Sequence, residues 1–241
     1  MDQKYYSIAY SESPYGTMNQ YMSRTFSWMF AGLLLTFVVA IGTVVSGLFA
    51  IIYSTGLIFV LAIAELVLVM ALSWKIDKLQ PSTAAGMFFV YAIMNGIILS
   101  TCFVAYDVPT IIMAFLVGAV YFGIMALYGK RTQKDLTGWG PKLMGALVTF
   151  LIFNIAGTLL SMVFHWNFGM MDMIVSAVGL LIFMGFTAYD TQKLKYYYSY
   201  YGGDQAMLQK STVIGALQLY LDYINIFLYV LRILGRNRNN D

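Results

Sequence analysis

The chain has 241 residues, 60% of them hydrophobic and only 10% charged. A soluble domain carries about 25% charged residues, so this composition excludes a soluble enzyme or nucleic-acid-binding module and describes a polytopic membrane protein. The net charge of +3 matters less than its distribution, because basic residues orient membrane helices.

The first 25 residues are polar and rich in tyrosine. The apolar run after them is too long for the core of a cleaved signal, so residues 1–25 are expected to form a cytoplasmic tail and the run to remain as a span. Apolar runs of bilayer length occur at 26–48, 55–74, 84–105, 109–128, 141–163, 171–190 and 211–232. The expected fold is all-α: a seven-helix transmembrane domain over 26–232, followed by a polar C-terminal tail at 233–241. The connections are too short for a soluble catalytic domain. The longest polar break, 191–210, holds a tyrosine cluster from Tyr196 to Tyr201 that suits the headgroup region. Gly202 and Gly203 read as a turn into the last helix. Trp28, Trp74, Trp139 and Trp166 fall near expected span ends, as interfacial anchors do. His165 is expected at the outer interface, and Cys102, the single cysteine, as a buried thiol.

Lysine and arginine set the expected topology. Eleven fall in the N-terminal tail and in the breaks after spans 2, 4 and 6; the breaks after spans 1, 3 and 5 hold none. This places the N-terminus in the cytoplasm. Seven full spans would leave Arg232, Arg236 and Arg238 outside, whereas a re-entrant last segment would keep them inside. The 22-residue length of that run favours a full span.

Three acids are flanked by apolar residues: Glu65 in VLAIAELVLVM, Asp190 in FTAYDTQKLK and Asp222 in LQLYLDYINIFLYVLR. A charged side chain near a bilayer centre costs at least about 2.5–3.5 kcal/mol and marks a functional path by default. On the last helix Gly215, Gln218, Asp222, Asn225 and Tyr229 recur at spacings of three and four, which places them on one face. Such a stripe turns inward, because it cannot face lipid without cost. A purely structural polar network is the alternative for Gln218 and Asn225. On span 6, Ser176, Gly179, Phe183, Phe186 and Asp190 share a face, and Lys193 is spaced to pair with Asp190. Depth counts permit the two aspartates to meet: Asp190 lies roughly 9–16 Å inside the tyrosine cluster and Asp222 roughly 18 Å past Lys210 at the helical rise. Two carboxylates in contact there share a proton and titrate as a pair. They form a proton sensor, a calcium site, or both, since calcium prefers carboxylate and carbonyl oxygens. Glu65 reads as a relay element or as an acid hydrogen-bonded across helices.

At these residues the chain resembles a known family. GALQLYLDYINIFLYVLRILG and GFTAYDTQKLK are similar to the two signature regions of the Bax-inhibitor (TMBIM, or lifeguard) family, and most like its bacterial inner-membrane members. The resemblance runs through the seven apolar runs and the KRTQKDLTGWG loop. It implies six helices packed around a central C-terminal seventh, and a pH-sensitive calcium leak controlled by a paired-aspartate sensor. The sensor positions fall on Asp190 and Asp222, and an acid of some relatives on Glu65. Some relatives carry an arginine at the inner end of the second helix that pairs with the first aspartate. Here Lys75 stands nearest, and lysine cannot reproduce a bidentate arginine contact.

The expected function is therefore a pH-gated calcium leak in a bacterial inner membrane. Its partners are the bilayer, calcium and protons, with no cofactor and no nucleic acid. The second reading is a regulator that contacts a membrane protease or transporter helix to helix. A third, an intramembrane aspartyl protease, rests on Tyr189-Asp190 and on a shared proton, but Asp222 lies in LYLDYIN and not in GxGD. One histidine excludes HExxH and one cysteine excludes CxxC, so no enzyme is expected.

Overall fold

The computed structural model describes residues 16–75, 78–164 and 169–237, without the side chains at 73–75, 161–164, 169–171 and 236–237. Among the described residues there are eight helices and no strand: α1 (Met18–Val45), α2 (Leu48–Ser54), α3 (Leu57–Lys75), α4 (Pro81–Ala105), α5 (Val108–Arg131), α6 (Trp139–Phe164), α7 (Gly169–Tyr201) and α8 (Gln205–Asn237). An all-α multi-pass membrane protein is what the composition requires, because lipid leaves no partner for backbone polar groups outside a helix or a closed barrel.

Six of these helices are long and apolar enough to cross a membrane. The expected second span, 55–74, is α3, 19 residues long. The short helix α2 precedes it, and the two meet at a bend of 90°. Gly56 at the joint has φ +72°, a left-handed conformation that only glycine adopts without strain. Among the described residues six helices are therefore candidate spans by length and composition, or seven if the bent pair counts as one.

Two boundaries move for local reasons. Helix α1 starts at Met18, eight residues before the expected apolar run, because Thr17 and Gln20 form a capping box. The Gln20 side chain accepts from the Thr17 N–H at 2.9 Å and Thr17 Oγ1 accepts from the Gln20 N–H at 3.4 Å, satisfying two end groups reciprocally. Helix α7 runs on through most of the expected polar break to Tyr201. Nothing between Thr191 and Tyr201 breaks a helix, and Tyr196 stacks on Tyr200 one turn later with centroids 5.7 Å apart. The turn comes at Gly202 and Gly203.

The chain divides into two compact units: Met1–Asp107 with Leu194–Tyr220, and Val108–Lys193 with Leu221–Asp241. In the first, α1 packs along α4, and Thr36 Oγ1 donates to the Ala92 carbonyl at 3.0 Å. Tyr21, on α1, is bonded to Ser211 at 3.0 Å. In the second, Tyr223 donates to the Phe115 carbonyl at 3.1 Å and makes T-shaped ring contacts with Phe115 and Phe122. Helix α8 contributes to both units, and 67% of its spanning window is buried, against 6–44% for the other spans. Leu219, Ile224, Phe227 and Leu231 are all core residues, while on its polar stripe Gly215 and Asp222 are buried and Gln218, Asn225 and Tyr229 half-buried.

Candidate functional site

The site is built from the second unit, where α7 supplies Asp190 and α8 supplies Asp222. The α7 face expected from spacing is buried along its length, from Ser176 through Gly179, Phe183 and Phe186 to Asp190. Asp190 is 6% exposed and Asp222 is 3% exposed. The Asp190 charge acts on Asp222, and the Lys193 charge acts on Asp190. Lys193 also places its ammonium 5.7 Å from the centroid of the Tyr189 ring. The aspartates are thus electrostatic neighbours, and Lys193 bears on the α7 member from its own helix.

Asp222 Oδ2 and Thr191 Oγ1 are buried with no hydrogen-bond partner among the described residues, and so is Gln218 Oε1, one turn before Asp222 on α8. An ionised carboxylate oxygen that accepts nothing is unstable in an apolar interior. A proton shared with Asp190 or a cation would satisfy it. Among the described residues no three histidine, cysteine or acidic side chains gather into a metal-holding group.

The other expected site residues separate by role. Asn225 donates to the Leu221 carbonyl of its own helix at 2.8 Å. Tyr229 packs between Phe150 and Phe183, with Arg232 5.9 Å from its ring centroid. Both serve α8 and its packing. Glu65 belongs to the first unit. Its carboxylate accepts from Asn95 Nδ2 at 2.6 Å and is bonded to the Tyr91 hydroxyl. Asn95 Oδ1 accepts from the Tyr220 hydroxyl at 3.1 Å, and that hydroxyl lies 2.6 Å from Thr36 Oγ1. Glu65 is thus hydrogen-bonded across helices, from α3 to α4. The side chains of Lys75 and Trp74, and the whole of His165 and Trp166, lie outside the described residues.

Asn95, Tyr91, Tyr220 and Gln192 carry polar contacts that sequence reasoning did not single out. Asn95 left one usable signal, since it is the only carboxamide in the apolar run 84–105.

Residues 18–239 match the family model described as Inhibitor of apoptosis-promoting Bax1. The chain belongs to the Bax inhibitor family. It is similar to the Inner membrane protein YbhL of Escherichia coli (strain K12), 38% identical over 93% of this chain and 95% of that protein. An uncharacterized protein of Deinococcus radiodurans is 36% identical over 91% of each chain. An uncharacterized membrane protein of Streptococcus pyogenes serotype M3 is 32% identical over 95% of this chain and 98% of its own length. As a Bax inhibitor family protein, the chain carries Asp190 and Asp222 within the two segments on which the resemblance was first read, and both are buried in one unit.

Proposed function

We propose that this Bax inhibitor family protein is a pH-sensitive leak pathway for calcium, opened and closed by protonation of Asp190 and Asp222. The observation that supports the reading is the buried pair, with Asp222 Oδ2 unpartnered among the described residues. With one shared proton the pair carries a single charge and is held together. With none, two like charges repel in a low-dielectric site and attract a hard divalent cation through their oxygens. The leak therefore rises with pH. Calcium is cargo here: two carboxylates fall short of the six to eight oxygens of a resident site.

The proposal sets six helices around α8, an arrangement favoured by α8 being the most buried of the candidate spans. It places the N-terminus in the cytoplasm on the distribution of lysine and arginine. It locates the chain in a bacterial inner membrane, as the printed name of the Escherichia coli relative does for that protein. The test is calcium flux into proteoliposomes, measured from mildly acidic to mildly alkaline pH. Flux climbs with pH in the native chain and loses that dependence in Asp190→Asn and Asp222→Asn. An unchanged pH profile in both variants removes the sensor.

A further inference from the structure

The segment Ala188–Gln192 of α7 carries Asp190 in its middle, and the chain between the end of α5 and the start of α6 holds it at several points, all within the second unit. At Gly129 of α5, a side chain would collide with the Ala188 carbonyl. At Gly140 of α6, a Cβ would stand 2.6 Å from the Tyr189 hydroxyl. Between them, Gln192 grips the loop 132–138 with both ends of its amide. Its Oε1 accepts from the Leu136 N–H at 2.7 Å and its Nε2 donates to the Lys134 carbonyl at 2.8 Å.

This two-point grip is specific chemistry. A carboxamide presents one donor and one acceptor side by side, as a peptide unit does, so Gln192 binds the loop backbone much as a neighbouring strand would. The loop also has an apolar anchor: Leu136 is 5% exposed, while the other residues from Gln133 to Gly138 are exposed. Thr191, between the gripped residue and Asp190, is fully buried, with its hydroxyl unpartnered among the described residues.

We propose that the loop 132–138 is a lid over the Gln192 end of the aspartate site, and that Gln192 is the positioning residue that keeps it shut. The amide touches no ion and bears no charge. It acts through Leu136, whose buried side chain is held in place by the bond at its own N–H. Water or a cation passing between the loop side and Asp190 must first displace this lid.

The test separates lid from leak. Thr191→Cys, in a Cys102→Ala background that removes the only native thiol, reports access beneath the lid to a membrane-impermeant maleimide. With Gln192 intact, the thiol is protected. Gln192→Leu removes both bonds and speeds labelling roughly tenfold, the scale of two modest hydrogen bonds. Gln192→Glu keeps the acceptor for Leu136 but loses the donor to Lys134, and falls between. Equal labelling in all three, with equal elution on size exclusion, overturns the proposal. Flux is the arm that rests on the leak proposed above: Gln192→Leu raises it several-fold at acidic pH. Faster labelling with unchanged flux in a conducting protein removes the lid from the permeation path. A native chain that passes no cation defeats the leak alone, and the labelling result then decides the lid.

Discussion

Asn95 reaches across from α4 to α3 and donates to the Glu65 carboxylate at 2.6 Å, while its own carbonyl accepts from Tyr220. The second bond fixes which way the amide points, since one end must accept and the other donate. Glu65 is 8% exposed, so the acid depends on these partners. Asn95→Ala strands it and is expected to lower stability by about 1–3 kcal/mol, the cost of an unsatisfied buried group. Glu65→Gln keeps a bonded side chain and costs less. Replacing Glu65 and Asn95 together by leucine recovers only part of the loss, because their mutual demand is gone but the Tyr91 and Tyr220 hydroxyls each lose a partner. Thermal unfolding of the detergent-solubilised protein measures all three.

The Asp190–Asp222 pair makes the opposite prediction. Asp222 Oδ2 accepts no hydrogen bond among the described residues, and its neighbour is another acid. Asp222→Asn removes one of two like charges without changing the shape. It is expected to raise the melting temperature, and to do so more at alkaline than at acidic pH, where a shared proton already relieves the repulsion. A melting temperature that falls at alkaline pH contradicts the repulsion.

Asp135 gives a pH dependence outside the membrane. Its carboxylate accepts from the Thr137 N–H at 2.8 Å and from the Thr137 hydroxyl at 2.9 Å. The backbone bond first, then the hydroxyl, holds its pKa below the usual aspartate value. A depressed folded-state pKa contributes stability that is present above the unfolded value and lost as pH falls through the folded one. Protection of the Thr137 amide from hydrogen exchange should therefore hold at neutral pH and decline below about pH 4, near the unperturbed aspartate value. Asp135→Ala should show the low-pH behaviour at neutral pH.

Two glycines test the packing of α7. A Cβ at Gly129 has no space beside the Ala188 carbonyl, whereas one at Gly145 meets nothing within 4 Å. Gly129→Val is expected to cost about 1–3 kcal/mol or more, as overpacking does. Gly145→Ala should be neutral or slightly stabilising, because alanine favours the helix. Equal melting temperatures for the two variants would contradict the close approach of α5 and α7.

Much of the fold was legible because its signals are local. Apolar run length marks a span wherever the run lies, and six of the seven runs became helices that can cross alone. The helical period put Ser176, Phe183 and Asp190 on one face, and that face is buried. The second run became α3, but the short helix α2 before it was not legible, because the bend at Gly56 depends on a backbone conformation that apolar composition does not report. The extent of α7 was missed because tyrosines and lysines were read by polarity, when nothing in them interrupts a helix.

By itself, the amino-acid sequence determined the class of molecule, the costly acids and the polar stripe of α8, since each follows from composition or from spacing along one helix. The tertiary structure alone decided what those acids meet. Asn95 finds Glu65 at a separation of 30 residues, and Gln192 finds Leu136 at 56. A hydrogen bond between distant positions leaves no periodic trace, because it depends on how two helix faces turn toward one another. That turning is set by close packing, as where Gly129 lets α5 approach the backbone of α7 beside Asp190.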